Sequence, residues 1–112
     1  MNEDCGMVLI SAPAEAGQVI ARALIENRFA ACVQVLPEAS SYYWWKGKVE
    51  HDSETILLVK TLASRLPDIE FLLKEIHPYE VPELVFFPFA GGSASYLSWL
   101  TEVITKGETA IP

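Results

Sequence analysis

His77, Glu80 and Glu83 stand at a spacing that could hold a ligand, inside the run His-Pro-Tyr-Glu-Val-Pro-Glu. Pro78 and Pro82 push the residues before them out of helical space, so this segment is expected to be extended or polyproline-like. Polyproline II repeats every three residues, which puts all three side chains on one edge. One imidazole and two carboxylates suit a divalent ion. The same residues also fit a plainer arrangement, in which His77 satisfies the end of a helix and the glutamates make ion pairs or caps. A second acidic set, Glu50, Asp52 and Glu54, alternates on one strand face with His51 opposite, and such charges either build a site or guard a solvated strand edge. Lys60 lies among Leu58, Val59 and Leu62, where it either charges a pocket or lays its stem along apolar surface. Cys32, in a hydrophobic run, reads as a small buried hydrophobe or as a cleft thiol with a neighbouring cation, and Cys5 falls in an N-terminus expected to be mobile. There is no CxxC motif, Walker loop, Rossmann fingerprint, HExxH or nucleophile elbow. Gly91-Gly92-Ser93 ahead of a helix is only a weak anion-site signal. No catalytic constellation is present, and the chain reads as a non-enzyme.

The elements that must position these groups are organised around residues 31–61, where two long β-type runs meet across Lys46-Gly47. Gly47 can take the positive φ that a two-residue hairpin turn requires. Pro37-Glu38 interrupts the first arm, and the missing backbone donor implies a bulge or bend. Each arm far exceeds the usual strand of about 5 to 6 residues, so the hairpin is expected to project beyond the sheet. Its tip carries Tyr42, Tyr43, Trp44 and Trp45 in succession, putting one Tyr and one Trp on each face. A chain of 112 residues cannot bury both faces of a projecting arm, so Tyr42, Tyr43, Trp44, Trp45 and Lys48 are expected at a subunit interface.

Around the hairpin, residues 7–11 and 84–89 read as apolar strands, the latter with Pro88 at an edge position, and residues 13–27 and 66–76 as amphipathic helices. Pro13 is expected at the first helical position with Ser11 as cap, and Ser93 or Ser95 to cap a further helix beginning near Tyr96. Residues 1–6 and 107–112 read as flexible tails of one domain spanning 1–112. The order βαββαβ plus a terminal helix, with right-handed crossovers, gives a ferredoxin-like α+β sandwich whose second sheet face is left for a neighbouring subunit to cover.

Composition narrows the partners. A net charge of −7 opposes phosphate binding and with it nucleic acid, while 51% hydrophobic residues supply a core without crosslinks. No apolar run approaches the roughly 20 residues that span a bilayer, and Met1-Asn2-Glu3-Asp4 lacks the basic start of a signal peptide, so no membrane association and a cytoplasmic location are expected.

Four dispersed segments, in order, resemble the CutA divalent-cation tolerance proteins: Ala30-Ala31-Cys32-Val33, Ser41-Tyr42-Tyr43-Trp44-Trp45-Lys46-Gly47-Lys48-Val49-Glu50, His77-Pro78-Tyr79-Glu80-Val81-Pro82-Glu83-Leu84 and Tyr96-Leu97-Ser98-Trp99-Leu100. The resemblance implies a ferredoxin-like fold and a tight homotrimer joined through extended hairpins, similar in shape to trimeric PII signalling proteins. It also implies binding of copper or other divalent cations through a Cys after the first strand, a His ending the second helix, and the following His-Pro-Tyr. Here Ile10 and Ile76 occupy the first two positions and only His77 remains. Without thiolate, Cu(I) is not expected, and any Cu(II) or Zn binding should be weak, with no tightly held cofactor. The resemblance further places Cys32, Tyr43, Trp45, Glu54, Lys60 and Tyr79 near an inter-subunit ligand cleft. Two functions follow: a non-enzymatic divalent-cation binding or tolerance protein, or a PII-like signalling scaffold taking a small anion or other ligand in that cleft.

Overall fold

A computed structural model describes residues 4–109. The apolar run near the start becomes β1 (Cys5–Ala12), followed by α1 (Ala14–Glu26), the long hairpin strands β2 (Cys32–Trp45) and β3 (Lys48–Leu62), α2 (Leu66–Ile76), a short β4 (Val85–Pro88) and α3 (Ala94–Thr109). The strands form one antiparallel sheet in the order β2-β3-β1-β4, so the fold is the expected ferredoxin-like α+β arrangement with an added terminal helix. Pro88 lies on the edge strand β4, where its missing donor is tolerated.

One sheet face carries the core. Val8, Ile10 and Ala12 of β1 and Leu57 and Val59 of β3 pack against Ile20, Ala21 and Leu24 of α1 and Ile69 and Leu73 of α2. Helix α1 approaches β3 closely because Gly17 faces it: a methyl group there would lie 3.2 Å from the Thr55 side chain. The helix closes where Arg28 takes φ 58° and the Phe29 amide returns to the Leu24 carbonyl at 3.0 Å. On the opposite face, α3 covers only one end, burying Cys5 and Leu62 under Leu100 and Ile104. Elsewhere on that face Leu36, Val85 and Phe87 stay at least 44% exposed in the single chain.

The hairpin projects as expected, and the molecule measures 48 Å along its longest axis against 32 and 21 Å across. Its turn is Lys46-Gly47, both at positive φ (51° and 82°), between the paired Trp45 and Lys48. The interruption in β2 is a bulge: Leu36 pairs with Ile56 and Ala39 with Glu54, leaving Pro37 and Glu38 (φ 61°) opposite Thr55 alone. The extra residue changes which side chains point where. Beyond it Ala39, Ser41, Tyr43 and Trp45, rather than Tyr42 and Trp44, share a face with Glu54 and Asp52.

Several expectations are corrected. Cys5 and Gly6 belong to β1 rather than to a flexible tail, Cys5 being 8% exposed because α3 lies over it, and α3 itself runs through residues 107–109; residues 1–3 and 110–112 of the expected tails lie outside the described residues. Pro13 is the N-cap of α1 rather than its first residue, and Ser11 does not cap it but donates to Glu83. The last strand is Val85–Pro88 and half-open, not a six-residue buried run. Ser93 is the residue that caps α3, its Oγ accepting from the Tyr96 amide at 3.3 Å.

The packing of β1 gives a direct check. A methyl group at Gly6 would lie 2.6 Å from the Phe87 carbonyl oxygen and closer still to the Phe86 ring, so Gly6→Ala should destabilise by about 1 to 3 kcal/mol. Leu57→Ala, in the main core, should cost about 2 to 5 kcal/mol. Urea unfolding measures both; a neutral Gly6→Ala would return residues 5 and 6 to a loose tail.

Candidate functional site

His77 ends α2 in extended backbone (φ −78°, ψ 134°) because Pro78 excludes the helical region, and it is only 8% exposed. Both ring nitrogens are engaged. Nδ1 accepts from the Tyr79 amide at 3.0 Å, which makes Nε2 the protonated nitrogen of the neutral ring, and Nε2 donates to the Ser11 carbonyl at 2.8 Å. His77 therefore pins the chain after α2 to β1. The segment that follows bends through residues 78–81 instead of running straight. This corrects the expected His77, Glu80, Glu83 edge: His77 is buried and turned to β1, Glu80 is exposed, and Glu83 accepts from Ser11 Oγ at 3.2 Å. Among the described residues no three His, Cys, Asp or Glu side chains are grouped so as to hold a metal ion. The donor set implied for a resident metal does not fit here, since the one basic lone pair of His77 is spent on Tyr79.

The bend instead aims Tyr79 across to β3. Its hydroxyl donates to Glu54 Oε2 at 2.5 Å, and its ring lies 4.8 Å from that of His77. Glu54 is 6% exposed, and no ion pair involves it among the described residues. One step further along the hairpin, the Tyr43 hydroxyl donates to Asp52 Oδ2. On the other hairpin face His51 stacks on Tyr42, rings 4.1 Å apart and 3° from parallel. Between the hairpin and the 78–83 segment lies a cleft of about 840 Å³ whose wall includes Tyr43, Trp45, Glu54, Tyr79, Glu80 and Glu83. Among the described residues no Lys, Arg or His lines it.

Of the expected cleft residues, the structure brings together Tyr43, Trp45, Glu54 and Tyr79 and separates Cys32 and Lys60 from them. Cys32 and Lys60 are directly opposite each other on β2 and β3, six positions along β3 from Glu54, and Lys60 Nζ donates to Gln34 Oε1 at 2.6 Å. Both lie on the sheet face that the chain's own helices leave partly open. Asp52, one of the acidic strand set, pairs with Tyr43, and Ser11, expected as a helix cap, lines the cleft; neither placement is read from the sequence. Counting pairs back from the Lys46-Gly47 turn would have placed Asp52 diagonally beside Tyr43; nothing local marks Ser11.

The phenols register this surrounding negative charge. Tyr43 is pushed up to about 12, first by its hydrogen bond to Asp52, then by desolvation and by the charges of Asp52, Glu54 and Glu50. Tyr79 is raised as well, first by burial and then by its bond to Glu54 and that group's charge.

Fold and site together define a ferredoxin-like protein with a projecting hairpin and an acidic, aromatic cleft. The CutA1 divalent ion tolerance protein model matches residues 6–103, and the chain belongs to that family. The divalent-cation tolerance protein CutA of Thermus thermophilus is 46% identical over 97 residues, covering 86% of this chain and 94% of that protein. Mouse protein CutA is 43% identical over 96 residues, and there 83% of this chain spans 54% of the relative's length. The solved Thermus thermophilus divalent cation tolerance protein superposes with a TM-score of 0.85 at 45% identity, covering 88% of this chain and 96% of the other. Rice CutA1 gives 0.87 at 38% identity, with 91% and 94% covered. The names of the two Thermus thermophilus relatives describe tolerance of divalent cations.

The Tyr43–Asp52 pair has a pH signature. A phenol whose folded value of about 12 exceeds its unfolded value of about 10 contributes stability that is complete below about pH 10 and is lost as pH climbs to the folded value. Spectrophotometric tyrosinate titration should show a step near 12 that disappears in Tyr43→Phe and moves down towards 10 in Asp52→Asn. An unmoved step in Asp52→Asn would assign the shift to something other than that bond.

Proposed function

We propose that this chain is a non-enzymatic divalent-cation tolerance protein that acts as a homotrimer, with the acidic, aromatic cleft lying where subunits meet. The observation that carries the assembly is the exposure of apolar groups on both faces of the hairpin: Trp44 is 74%, Tyr42 70% and Val49 59% exposed on one face in the single chain, and Leu36 lies open on the other. Apolar side chains in such number on a two-stranded ribbon need cover, because a ribbon without a packed face is marginal in water. A partner that repeats the same surface supplies it, and rotation about one axis closes a ring.

Tolerance in this chain does not rest on a resident chelate at His77. Divalent ions meet oxygen donors, Glu54, Glu80 and Glu83, that are not grouped for tight coordination, which gives weak, hard-ion binding. A scaffold that senses a ligand in its cleft is the second reading, and the cleft's size favours it. A small anion is not supported as that ligand, since the cleft wall has carboxylates and, among the described residues, no cationic side chain.

Light scattering of the purified protein at micromolar concentration should report three times the 12.4 kDa chain mass. Trp45→Ala should lower that mass and destabilise the assembly, since truncating a Trp buried at an interface costs about 3 to 5 kcal/mol. A monomer in the wild type, or an equally associated and stable Trp45→Ala protein, overturns the proposal.

A further inference from the structure

We propose that the cleft is a recognition site for a small organic ammonium cation, seated against the Tyr43, Trp45 and Tyr79 rings with its charge facing Glu54. This rests on the reading above in placing the cleft at a subunit junction and names the class of ligand it takes.

Four observations converge. The cleft holds about 840 Å³, the size of a small-molecule site. Its deepest polar group, Glu54, is 6% exposed and has only a neutral phenol, Tyr79, as partner at 2.5 Å, with no ion pair among the described residues. A carboxylate removed from water without a counter-charge is costly, and a cationic ligand offsets that cost on binding. The wall holds aromatic rings and, among the described residues, no Lys, Arg or His, so it attracts positive charge through both carboxylates and ring faces. Finally, the Trp45 ring already takes a cation: the Nζ of Lys46, which is not among the cleft-lining residues, lies 5.7 Å from its centre.

The chemistry selects among cations. A bare metal ion needs several lone-pair donors converging on one point, and no such group exists among the described residues. An alkylated ammonium needs the reverse: one carboxylate at moderate distance and broad ring faces around a greasy cation. Glu80 and Glu83, exposed at the rim, steer charge inward without having to touch it.

The test uses the full chain carrying Trp99→Phe, so that fluorescence comes from Trp44 and Trp45. Choline is titrated against its neutral isostere 3,3-dimethylbutan-1-ol, with melting temperature as a second readout. Choline should bind saturably and at least about tenfold more tightly than the alcohol, a difference within reach of cation–π and charge contacts. Glu54→Gln should remove that preference while keeping the fold, and Glu80→Gln/Glu83→Gln, both exposed, should weaken binding by a smaller factor in the same direction. Equal response to the alcohol, no saturation by choline up to about ten times the millimolar range, or undiminished preference in both variants overturns the proposal. So does binding that emerges only in Lys46→Ala/Lys48→Ala, because the chain's own lysines would then be the natural occupants. Light scattering on the same samples separates the two readings: a monomer that binds choline sinks the trimer and leaves this site standing, whereas a trimer blind to choline does the opposite.

Discussion

The structure depends on a strand pair that outruns its own core. β2 and β3 are 14 and 15 residues long, yet only their proximal halves lie over the two main helices. There Val33, Val35, Leu57 and Val59 are held by α1 and α2 on one side. Past the bulge at Pro37-Glu38 the Tyr79 segment reaches the strands at Glu54, and beyond it every residue from Tyr42 to Val49 is exposed in the single chain. Backbone pairing alone leaves such a ribbon marginal, so a partner packed on the aromatic tip would contribute to the fold's stability rather than add to a finished one.

The bulge also determines the chemistry of the site. One extra residue in β2 reverses the facing of everything beyond it, which brings Tyr43 beside Asp52 and Trp45 to the side of Glu54. His77 completes the arrangement from the other direction: its two hydrogen bonds fix the turn after α2 and aim Tyr79 at Glu54. Two phenols of the cleft wall thereby donate to two carboxylates, and raised phenol values are the physical consequence. A histidine that looks like a metal ligand serves here as a positioning residue.

Much of this was legible in residue order because it was set by local chemistry. Lys46-Gly47 between β-type runs marks a hairpin turn, Pro37 in a strand marks a bulge, and His77-Pro78 marks a helix end; each works through backbone geometry that a few residues determine. What was not legible came from partners distant in the chain. Cys5 and Gly6 look like a tail until α3, some ninety residues on, closes over the first and Phe86 crowds the second. The straight edge expected of His77, Glu80 and Glu83 fails because the Ser11 carbonyl and hydroxyl draw His77 and Glu83 to β1. Lys60 and Glu54 are both charges on β3, yet strand rise over six residues, about 20 Å, keeps them in different places.

The dependence of the hairpin on outside support is tested most directly by native-state hydrogen exchange followed residue by residue across protein concentration. If neighbouring copies hold the tip, the amides of residues 39–54 should be protected to a degree approaching that of Leu57 and Val59 when the assembly is formed, and should lose that protection on dilution while the core keeps its own. Fast exchange of residues 39–54 at every concentration, beside a protected core, would mean that the ribbon stands alone and contradict that dependence.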